Sequence, residues 1–170
     1  MKSETLSKRI KKAQSSFKRS PHIDILMKIY NKNRTHIEKD FPLPKYKDLM
    51  PIIYFSDVLR LAYKKLARNK GATTPGFKGI TDDGTSEETI RKISTQLKNK
   101  TFKWASVRRI LIPKPGKKVK RPLGLTYFED KLVQEAIKQV LEVIYEPHSN
   151  QHNWNYGFRI GKGARTQFVE

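Results

Sequence analysis

Seven basic side chains lie in the seventeen residues "RRILIPKPGKKVKRPLG", Arg108–Gly124, with no acidic residue among them. Two of these cations, Lys114 and Arg121, lie on opposite sides of a Pro-Gly pair. Arginine presents a planar fork of N–H donors that binds phosphate oxygens in pairs, and lysine adds a mobile point charge. The pattern therefore fits phosphate binding, although a simple solvated basic surface has the same composition.

The basic stretch belongs to a longer segment without acids. Between Glu88 and Glu129 there are twelve Lys or Arg residues and no Asp or Glu, and the whole chain carries a net charge of +20. Solvating charge is normally of mixed sign, so this distribution favours a polyanionic partner. No apolar run reaches the roughly 18 residues that a membrane span needs, and the N-terminus has no apolar signal core. Nucleic acid is thus favoured over a membrane.

The remaining candidates for chemistry are few. The 170-residue chain contains no cysteine, which excludes disulfides, thiol catalysis and cysteine-ligated zinc. His148 and His152 have a spacing that can hold a metal on a helix, but "PHSNQHNWN" is typical of a loop and no nearby acid completes the site. No metal site is therefore predicted. Trp104 and Trp154 are isolated and are interpreted as packing residues.

The basic stretch is expected to form a β-hairpin backed by a helix. Trp104–Ile112 and Val119–Leu125 predict the two strands, joined by the Pro-Gly turn. Thr126-x-x-Glu129 predicts a capping box that begins the helix, and Pro147 is expected to end it. The residues predicted to face inward are Leu132, Val133, Ala136, Ile137, Val140, Leu141 and Ile144.

Helices are also predicted before the hairpin. One covers residues 3–19, with an apolar face of Leu6, Ile10, Ala13 and Phe17; its basic face either is solvated or lies along a phosphate backbone. A second helix contains the apolar residues Ile23, Leu26, Met27, Tyr30 and Ile37 and ends near Asp40. "FPLPKYKDLMP" then predicts an extended connector.

Two further helices flank a glycine-rich loop. The third helix is predicted from Ser56, as its N-cap, to Arg68, with Val58, Leu61, Ala62 and Leu66 buried. Asn69–Gly84 is expected to be a structured loop. Thr85-x-x-Glu88 predicts a second capping box, whose helix runs to about Lys98 with Ile90, Ile93 and Leu97 facing inward.

Four blocks together resemble a known family. "IPKPGKKVKRPLGLTYFEDKLVQEAI", Ile112–Ile137, resembles the fingers region of group II intron-encoded reverse transcriptases, also called maturases. The blocks "NKGATTPGFKGIT", "LEVIYEP" and "YGFRIGKGA" resemble, in the correct order, the loop before the fingers strands, the end of the following helix and the block before the palm. The resemblance covers about Asn69 to Gly163.

The resemblance implies an architecture and an activity. The expected fold is α+β and mostly helical: a basic helical N-terminal extension over residues 1–68, then a fingers subdomain over 69–170, with the palm beginning near or after residue 165. The parent activity is RNA-directed DNA polymerisation together with intron splicing and mobility, and Mg²⁺ is its expected cofactor. The palm's Tyr-Ala-Asp-Asp block is not in this sequence, so we expect the chain alone to be inactive.

The same resemblance implies site residues. Lys114 and Arg121 are expected to hold the triphosphate of the incoming dNTP. From their residue types, Phe158 and Arg159 are expected to stack on bases or grip the template, with a core position of Phe158 as the alternative. The complete set predicted to contact RNA or template is Lys8, Arg9, Lys11, Lys12, Lys70, Gly71, Thr73, Thr74, Arg108, Arg109, Lys117, Lys118, Lys120, Phe158, Arg159 and Lys162.

The implied partners are group II intron RNA, a template and primer strand, and dNTP, with self-association left open. The expected location is intracellular, in a bacterial cytoplasm or nucleoid or in an organelle matrix. Two alternatives remain. One is a non-catalytic maturase derivative that stabilises folded intron RNA, and the other is a basic DNA-binding protein without a preference for structured RNA.

Overall fold

The computed structural model describes residues 21–42, 44–68, 87–116 and 118–152, together with Gly157 and Arg159. In chain order these residues form helices α1 Pro21–Glu38, α2 Met50–Ile53, α3 Ser56–Leu66 and α4 Glu87–Lys98, strands β1 Arg108–Pro113 and β2 Lys120–Leu125, and helix α5 Phe128–His152. The predicted α+β class, mostly helical with one hairpin, is confirmed. Among the described residues, no helix combines the length and apolar character needed to cross a bilayer.

The chain divides into two compact units. The first comprises Met1–Ile52 and Lys138–Glu170, and the second comprises Ile53–Ile137. Helix α5 therefore begins in the second unit and ends in the first. The predicted domain boundary between residues 68 and 69 stays a prediction.

Helix α1 provides much of the described core of the first unit. It begins at Pro21, where the missing N–H costs nothing, and its buried apolar residues are Ile23, Leu26, Ile29 and Tyr30. Met27 and Ile37, which belong to the apolar pattern that predicted this helix, are half-buried.

The end of α1 is a Schellman motif. The N–H of Phe41 donates to the His36 carbonyl at 2.8 Å, and the N–H of Asp40 donates to the Ile37 carbonyl at 3.0 Å. Asp40 takes the left-handed conformation, with φ 55°, that this motif requires. The rings of His36 and Phe41 meet edge to face, which supplies the accompanying hydrophobic contact. These bonds account for the predicted end of the helix near Asp40.

The connector after α1 is shorter than predicted. Residues 44–49 are extended or irregular, as expected from the prolines, but Met50 and Pro51 already belong to the four-residue helix α2. Pro51 is the second residue of that helix, where no intrahelical donor is needed. The prediction of an extended segment through Pro51 is therefore wrong at its last two residues.

Helix α5 passes through Pro147, which was predicted to end it. Proline has no N–H, so the carbonyl of Val143 loses its helical donor. At the next carbonyl, Ile144, the side-chain amide of Asn33 donates a hydrogen bond at 2.9 Å. Asn33 is fully buried, and its amide oxygen accepts a 2.6 Å hydrogen bond from the Tyr46 hydroxyl. The hydrogen bond from Asn33 thus binds the helix at the turn that contains Pro147. Because α5 continues to His152, His148 and His152 lie on a helix rather than in the predicted loop.

Helix α3 begins where predicted but with a different cap. The N-cap is Phe55 in an extended conformation, without a side-chain capping hydrogen bond, so the prediction of a Ser56 cap is wrong. The buried residues of α3 are Val58, Leu59 and Ala62, while the predicted Leu61 and Leu66 are half-buried.

Helix α4 confirms the predicted pattern, with Ile90, Ile93 and Leu97 buried and its end at Lys98. Thr85, the predicted cap, lies outside the described residues. The C-terminus is a second Schellman motif, in which Thr101 N–H donates to the Gln96 carbonyl and Lys100 N–H to the Leu97 carbonyl. Lys100 has φ 57°, a left-handed conformation in which glycine would be less strained.

Contacts between α3 and the first part of α5 join the helices of the second unit. Tyr63 meets Phe128 edge to face with ring centroids 6.1 Å apart, and Lys65 forms an ion pair with Glu135. The buried residues Leu132, Val133 and Ala136 confirm the predicted apolar face of this part of α5. In the first unit, the predicted inward-facing Leu141 is instead exposed, and Val143 is buried in its place.

The start of α5 differs from the predicted capping box. The first backbone bond runs from Lys131 N–H to the Tyr127 carbonyl at 3.0 Å, which makes Tyr127 the N-cap residue. Thr126 therefore precedes the cap by one residue, and the Thr126–Glu129 capping box is wrong.

Candidate nucleic-acid interface

The candidate site is built on the antiparallel hairpin β1–β2. Its register pairs Ile112 with Arg121, Leu111 with Pro122 and Arg109 with Gly124. Strand β1 begins at Arg108, four residues later than the predicted arm. The turn lies at Pro115 and Gly116 as predicted, and Gly116 has φ 70°, a conformation that glycine adopts without strain.

The two faces of the hairpin differ in exposure. Directly paired residues share a face, and side chains alternate along each strand. We define the inner face as Arg108, Ile110, Ile112, Arg121, Leu123 and Leu125, in which Ile110, Ile112 and Leu125 are half-buried. We define the outer face as Arg109, Leu111, Pro113, Lys120, Pro122 and Gly124, all exposed. Arg121 and its neighbour Lys120 therefore point to opposite faces.

The hairpin cations are free of carboxylates. Within the part of the chain that the structure describes, all six are exposed and none forms an ion pair with an acid; they are Arg108, Arg109, Lys114, Lys118, Lys120 and Arg121. Four arginines elsewhere each pair with a glutamate, namely Arg34, Arg60, Arg91 and Arg159. Among the described residues, the hairpin thus presents exposed positive charge without a carboxylate partner.

The predicted nucleotide-binding pair lies at the turn end of the hairpin. Arg121 is the second residue of β2 and pairs with Ile112 on the inner face. Lys114 directly follows β1, two residues beyond Ile112, and is exposed. The two cations therefore lie on opposite arms at the turn end of the hairpin, as the sequence predicted.

A buried carboxylate holds the segment that leads into β1. Asp130, in the first turn of α5 and only 3% exposed, accepts a 3.1 Å hydrogen bond from the backbone N–H of Ala105. Burial raises the pKa of the Asp130 carboxyl above its usual 3.8, and the hydrogen bond from Ala105 opposes that rise. This bond fixes residues 104–106 against the helix behind the hairpin.

A close approach at the opposite end of the hairpin requires glycine. A Cβ at position 124 would lie 2.7 Å from Cγ1 of Val107, which is closer than carbon atoms can pack. The branched side chain of Val107 has little freedom to move aside. Gly124 therefore allows the chain entering β1 to lie against β2.

The chain is similar to several curated proteins encoded by introns. Group II intron-encoded protein LtrA of Lactococcus lactis subsp. cremoris is 40% identical over 146 residues, which cover 86% of this chain and 23% of that protein. An uncharacterized 91 kDa protein in the cob intron of Schizosaccharomyces pombe is 42% identical over 121 residues, covering 71% of this chain and 14% of that protein. A putative COX1/OXI3 intron 1 protein of Saccharomyces cerevisiae is 33% identical over 123 residues, which cover 72% of this chain and 14% of that protein.

The chain belongs to the family of group II intron-encoded proteins. This confirms the family identified from the hairpin and its neighbouring blocks. The chain spans about a quarter of the length of LtrA and less of the two yeast proteins. No protein-family model matches it.

Several site residues predicted from this family lie outside the described part of the chain. They are Lys8, Arg9, Lys11, Lys12, Lys70, Gly71, Thr73, Thr74, Lys117, Phe158 and Lys162. Their roles stay predictions.

Arg159 is held by an acid in the structure. Its Nη2 lies 3.1 Å from Oε1 of Glu146, and its Nε lies 3.3 and 3.4 Å from the two carboxylate oxygens. The two side chains are 5% and 12% exposed, so the pair is largely desolvated. This two-pronged, buried ion pair attaches Arg159 to α5. The predicted template contact of Arg159 stays a prediction, and it would require this pair to open.

An ion-pair network joins the two sides of the glycine-rich segment. Arg60 on α3 donates through Nη1 to Asp57 at 2.6 Å, and through Nε and Nη2 to both carboxylate oxygens of Glu87, the first residue of α4. The Arg60 guanidinium holds the pKa of the Glu87 carboxyl below its usual value. The network connects residues that lie before and after positions 69–86, which include the residues Lys70, Gly71, Thr73 and Thr74 predicted to contact the template.

Trp104 departs from the prediction that it is a packing residue. Its ring meets Phe102 edge to face, with centroids 5.2 Å apart and planes at 85°, but 55% of the side chain remains exposed. The sequence signal that could have indicated this is its place in the acid-free segment, between Lys103 and the arginines of β1.

The described residues provide no evidence for a metal site. In the described ranges, no three His, Asp or Glu side chains come together in a way that could hold an ion. The backbone of α5 gives His148 and His152 helical spacing, unlike the predicted loop.

Proposed function

We propose that this chain forms the N-terminal extension and fingers of a group II intron reverse transcriptase and maturase. In this role it binds intron RNA and template RNA through their phosphates, and its hairpin holds the triphosphate of the incoming dNTP. Two findings support the proposal: membership of the family, and a hairpin whose cations are exposed. An intracellular site of action, in a bacterium or an organelle, belongs to the same proposal.

The uncompensated charge of the hairpin carries the proposal. Among the described residues, the hairpin cations have no carboxylate partner. They lie on or next to two paired strands, and the segment before the first strand is hydrogen-bonded to α5. A phosphate backbone releases its condensed counterions when such cations neutralise it, which drives association. Preorganised cations also bind at a lower entropic cost than mobile ones.

The register suggests that cations at different positions on the hairpin bind different phosphate groups. Arg121 and Lys114, next to the turn, are assigned to the compact charge of a triphosphate, because a forked donor and a point charge complement its oxygens. The other described cations are assigned to the RNA backbone; they are Arg108 and Arg109 at the far end of the hairpin, Lys120 on the outer face and Lys118 in the turn. Backbone contacts of this kind are insensitive to sequence and suit recognition of RNA by shape.

The proposal is limited to binding. In the polymerase reaction, Mg²⁺ held by carboxylates activates the primer hydroxyl and neutralises the leaving phosphate. No cluster able to hold such an ion occurs in the described residues, so we assign them no catalytic step. A magnesium requirement remains a proposal for a longer protein that contains this chain.

Salt-dependent binding of RNA tests the proposal. The affinity of the chain for a folded group II intron RNA is measured between 50 and 300 mM salt, about the range in which counterion release dominates, with duplex DNA as competitor. We expect the logarithm of the affinity to fall linearly with the logarithm of salt concentration. We also expect Arg108→Ala combined with Arg109→Ala to flatten the slope by about one to two units. Equal competition by duplex DNA would instead favour a general DNA-binding protein.

A further inference from the structure

Trp104 is an exposed aromatic residue in the described segment that leads into the hairpin. More than half of its surface is accessible, although burial of an indole is strongly favourable. One ring edge contact, to Phe102 at 5.2 Å, orients the indole. An edge-to-face contact of this kind uses only part of the ring surface and leaves a face of the indole for another partner.

The backbone on both sides of Trp104 is fixed. Before it, the Schellman motif at Lys100 ends α4, and the N–H of Phe102 also donates to the Gln96 carbonyl at 3.3 Å. After it, Ala105 is tied to the buried Asp130. Trp104 is therefore presented from an anchored segment of only four residues, and little conformational entropy is lost when a partner binds to it.

The charges around Trp104 indicate the nature of that partner. Lys103 precedes it, and Arg108 and Arg109 begin β1 four and five residues later; all three are exposed and, among the described residues, have no carboxylate partner. No acid occurs in the sequence between Glu88 and Glu129. A single-stranded nucleic acid matches both features, because its phosphates bind cations and its flat bases stack on aromatic rings.

We propose that Trp104 stacks on an unpaired base of a single-stranded RNA whose flanking phosphates contact Lys103, Arg108 and Arg109. The inference rests on the proposed RNA-binding function and adds a specific aromatic contact to it. Because every base has a stacking face, the contact tolerates sequence but requires an unpaired nucleotide. Trp104 thus gives the basic surface a higher affinity for single-stranded segments than for duplex.

Tryptophan fluorescence tests this contact directly. In the full 170-residue chain carrying Trp154→Phe, Trp104 is the remaining tryptophan, and stacking on a base quenches its emission. We expect a uridine 12-mer to quench this emission in a saturable manner at the concentration at which it binds. An RNA hairpin without unpaired bases, at equal bound fraction, is expected to leave the emission nearly unchanged.

Affinities of matched variants give the second measurement. Trp104→Ala is expected to weaken binding of the uridine 12-mer by about 5-fold or more, and Trp104→Phe by less, because a smaller ring still stacks. Tyr145→Ala is the control: Tyr145 is 56% exposed, as Trp104 is, but lies on α5 between Glu142 and Glu146, and its loss is expected to leave the affinity unchanged. Far-ultraviolet circular dichroism establishes that each variant is folded.

The outcomes separate the two proposals. If the chain binds RNA with the expected salt dependence but Trp104 is not quenched and Trp104→Ala binds normally, the stacking contact is refuted and the proposed function stands. If neither intron RNA nor the uridine 12-mer binds, the proposed function fails and the stacking contact with it. Equal losses in Trp104→Ala and Tyr145→Ala would also refute a specific contact at Trp104.

Discussion

Asp130 receives the backbone N–H of Ala105 at 3.1 Å, although 25 residues and the entire hairpin separate the two in sequence. The bond closes a loop that begins before β1 and ends in the first turn of α5. The hairpin cations therefore project from a segment fixed at its base. A carboxylate near a helix N-terminus is also favoured by the helix dipole, which helps to offset the cost of its burial.

We expect truncation of Asp130 to alanine to cost more stability than its replacement by the isosteric asparagine. Asp130→Ala leaves the Ala105 N–H without its acceptor and is expected to lower the free energy of unfolding by about 1–3 kcal/mol. Asp130→Asn keeps an oxygen acceptor and is expected to cost much less at pH 7, because it avoids burying a charge. Chemical denaturation of the two variants beside the wild type measures both values.

The pH dependence of the same pair follows from the raised pKa of Asp130. A carboxyl whose pKa is raised on folding favours the folded state below its unfolded value of 3.8, and this advantage is lost as the pH rises through the raised folded pKa. The stability of wild type relative to Asp130→Asn is therefore expected to be greatest in acid and to decline toward neutral pH. A difference that grows with pH would contradict the assigned burial.

The Arg60–Glu87 pair has the opposite pH dependence. Arg60 lowers the pKa of Glu87, so their interaction is complete above the usual glutamate pKa of 4.5 and is lost as the pH falls through the lowered folded value. We expect Arg60→Ala to reduce stability at pH 7 by about 0.5–1 kcal/mol, since solvent screens the half-exposed pair, and by much less in acid. Urea denaturation across that pH range measures the change.

Arg34→Ala is the matched control for this prediction. Arg34 pairs with Glu38 at 3.0 Å, but both side chains are well exposed and lie one turn apart on α1. Its removal is expected to cost less, about 0.3–0.5 kcal/mol. If both variants lost the same stability, the two-pronged geometry at Glu87 would add nothing to a simple surface pair.

Asn33 is expected to be one of the least replaceable polar residues of the first unit. Asn33→Ala removes the donor to the Ile144 carbonyl and the acceptor of the Tyr46 hydroxyl, and is expected to cost about 2–4 kcal/mol in thermal or chemical denaturation. Tyr46→Phe removes one of the two bonds and is expected to cost about half as much.

Local patterns predicted the helices and the hairpin well, because periodicity and turn chemistry depend on near neighbours. Ile90, Ile93 and Leu97 are an example: their spacing alone placed them in the core. The passage of α5 through Pro147 could not be predicted in this way, since Asn33, which supports the adjacent turn, lies 111 residues from Ile144. The exposure of Trp104 was missed for a related reason: an aromatic ring indicates burial unless its three-dimensional neighbours are known.

Gly124 is expected to tolerate no larger residue while Val107 is present. Gly124→Ala places a Cβ 2.7 Å from Val107 Cγ1 and is expected to cost about 1–3 kcal/mol as the strands separate. Val107→Ala removes the obstructing methyl group and is expected to recover much of that loss in the double variant. A double-mutant cycle measures the coupling, and additive losses would show that the strain at position 124 has another source.

Arg121 and Lys120 are adjacent in β2 but lie on opposite faces of the hairpin, which makes them a matched pair for testing the nucleotide site. In a polymerising protein that contains this chain, we expect Arg121→Ala to raise the KM for dNTP by about 10-fold or more, as the loss of a charged phosphate contact predicts, with a smaller loss of RNA affinity. Lys120→Ala removes an equal charge from the outer face and is expected to weaken RNA binding slightly while leaving the KM for dNTP within about 2-fold. Steady-state kinetics at saturating template and RNA affinity at fixed salt measure the two effects separately. If the two variants raised the KM equally, net charge rather than the inner-face position of Arg121 would govern nucleotide binding.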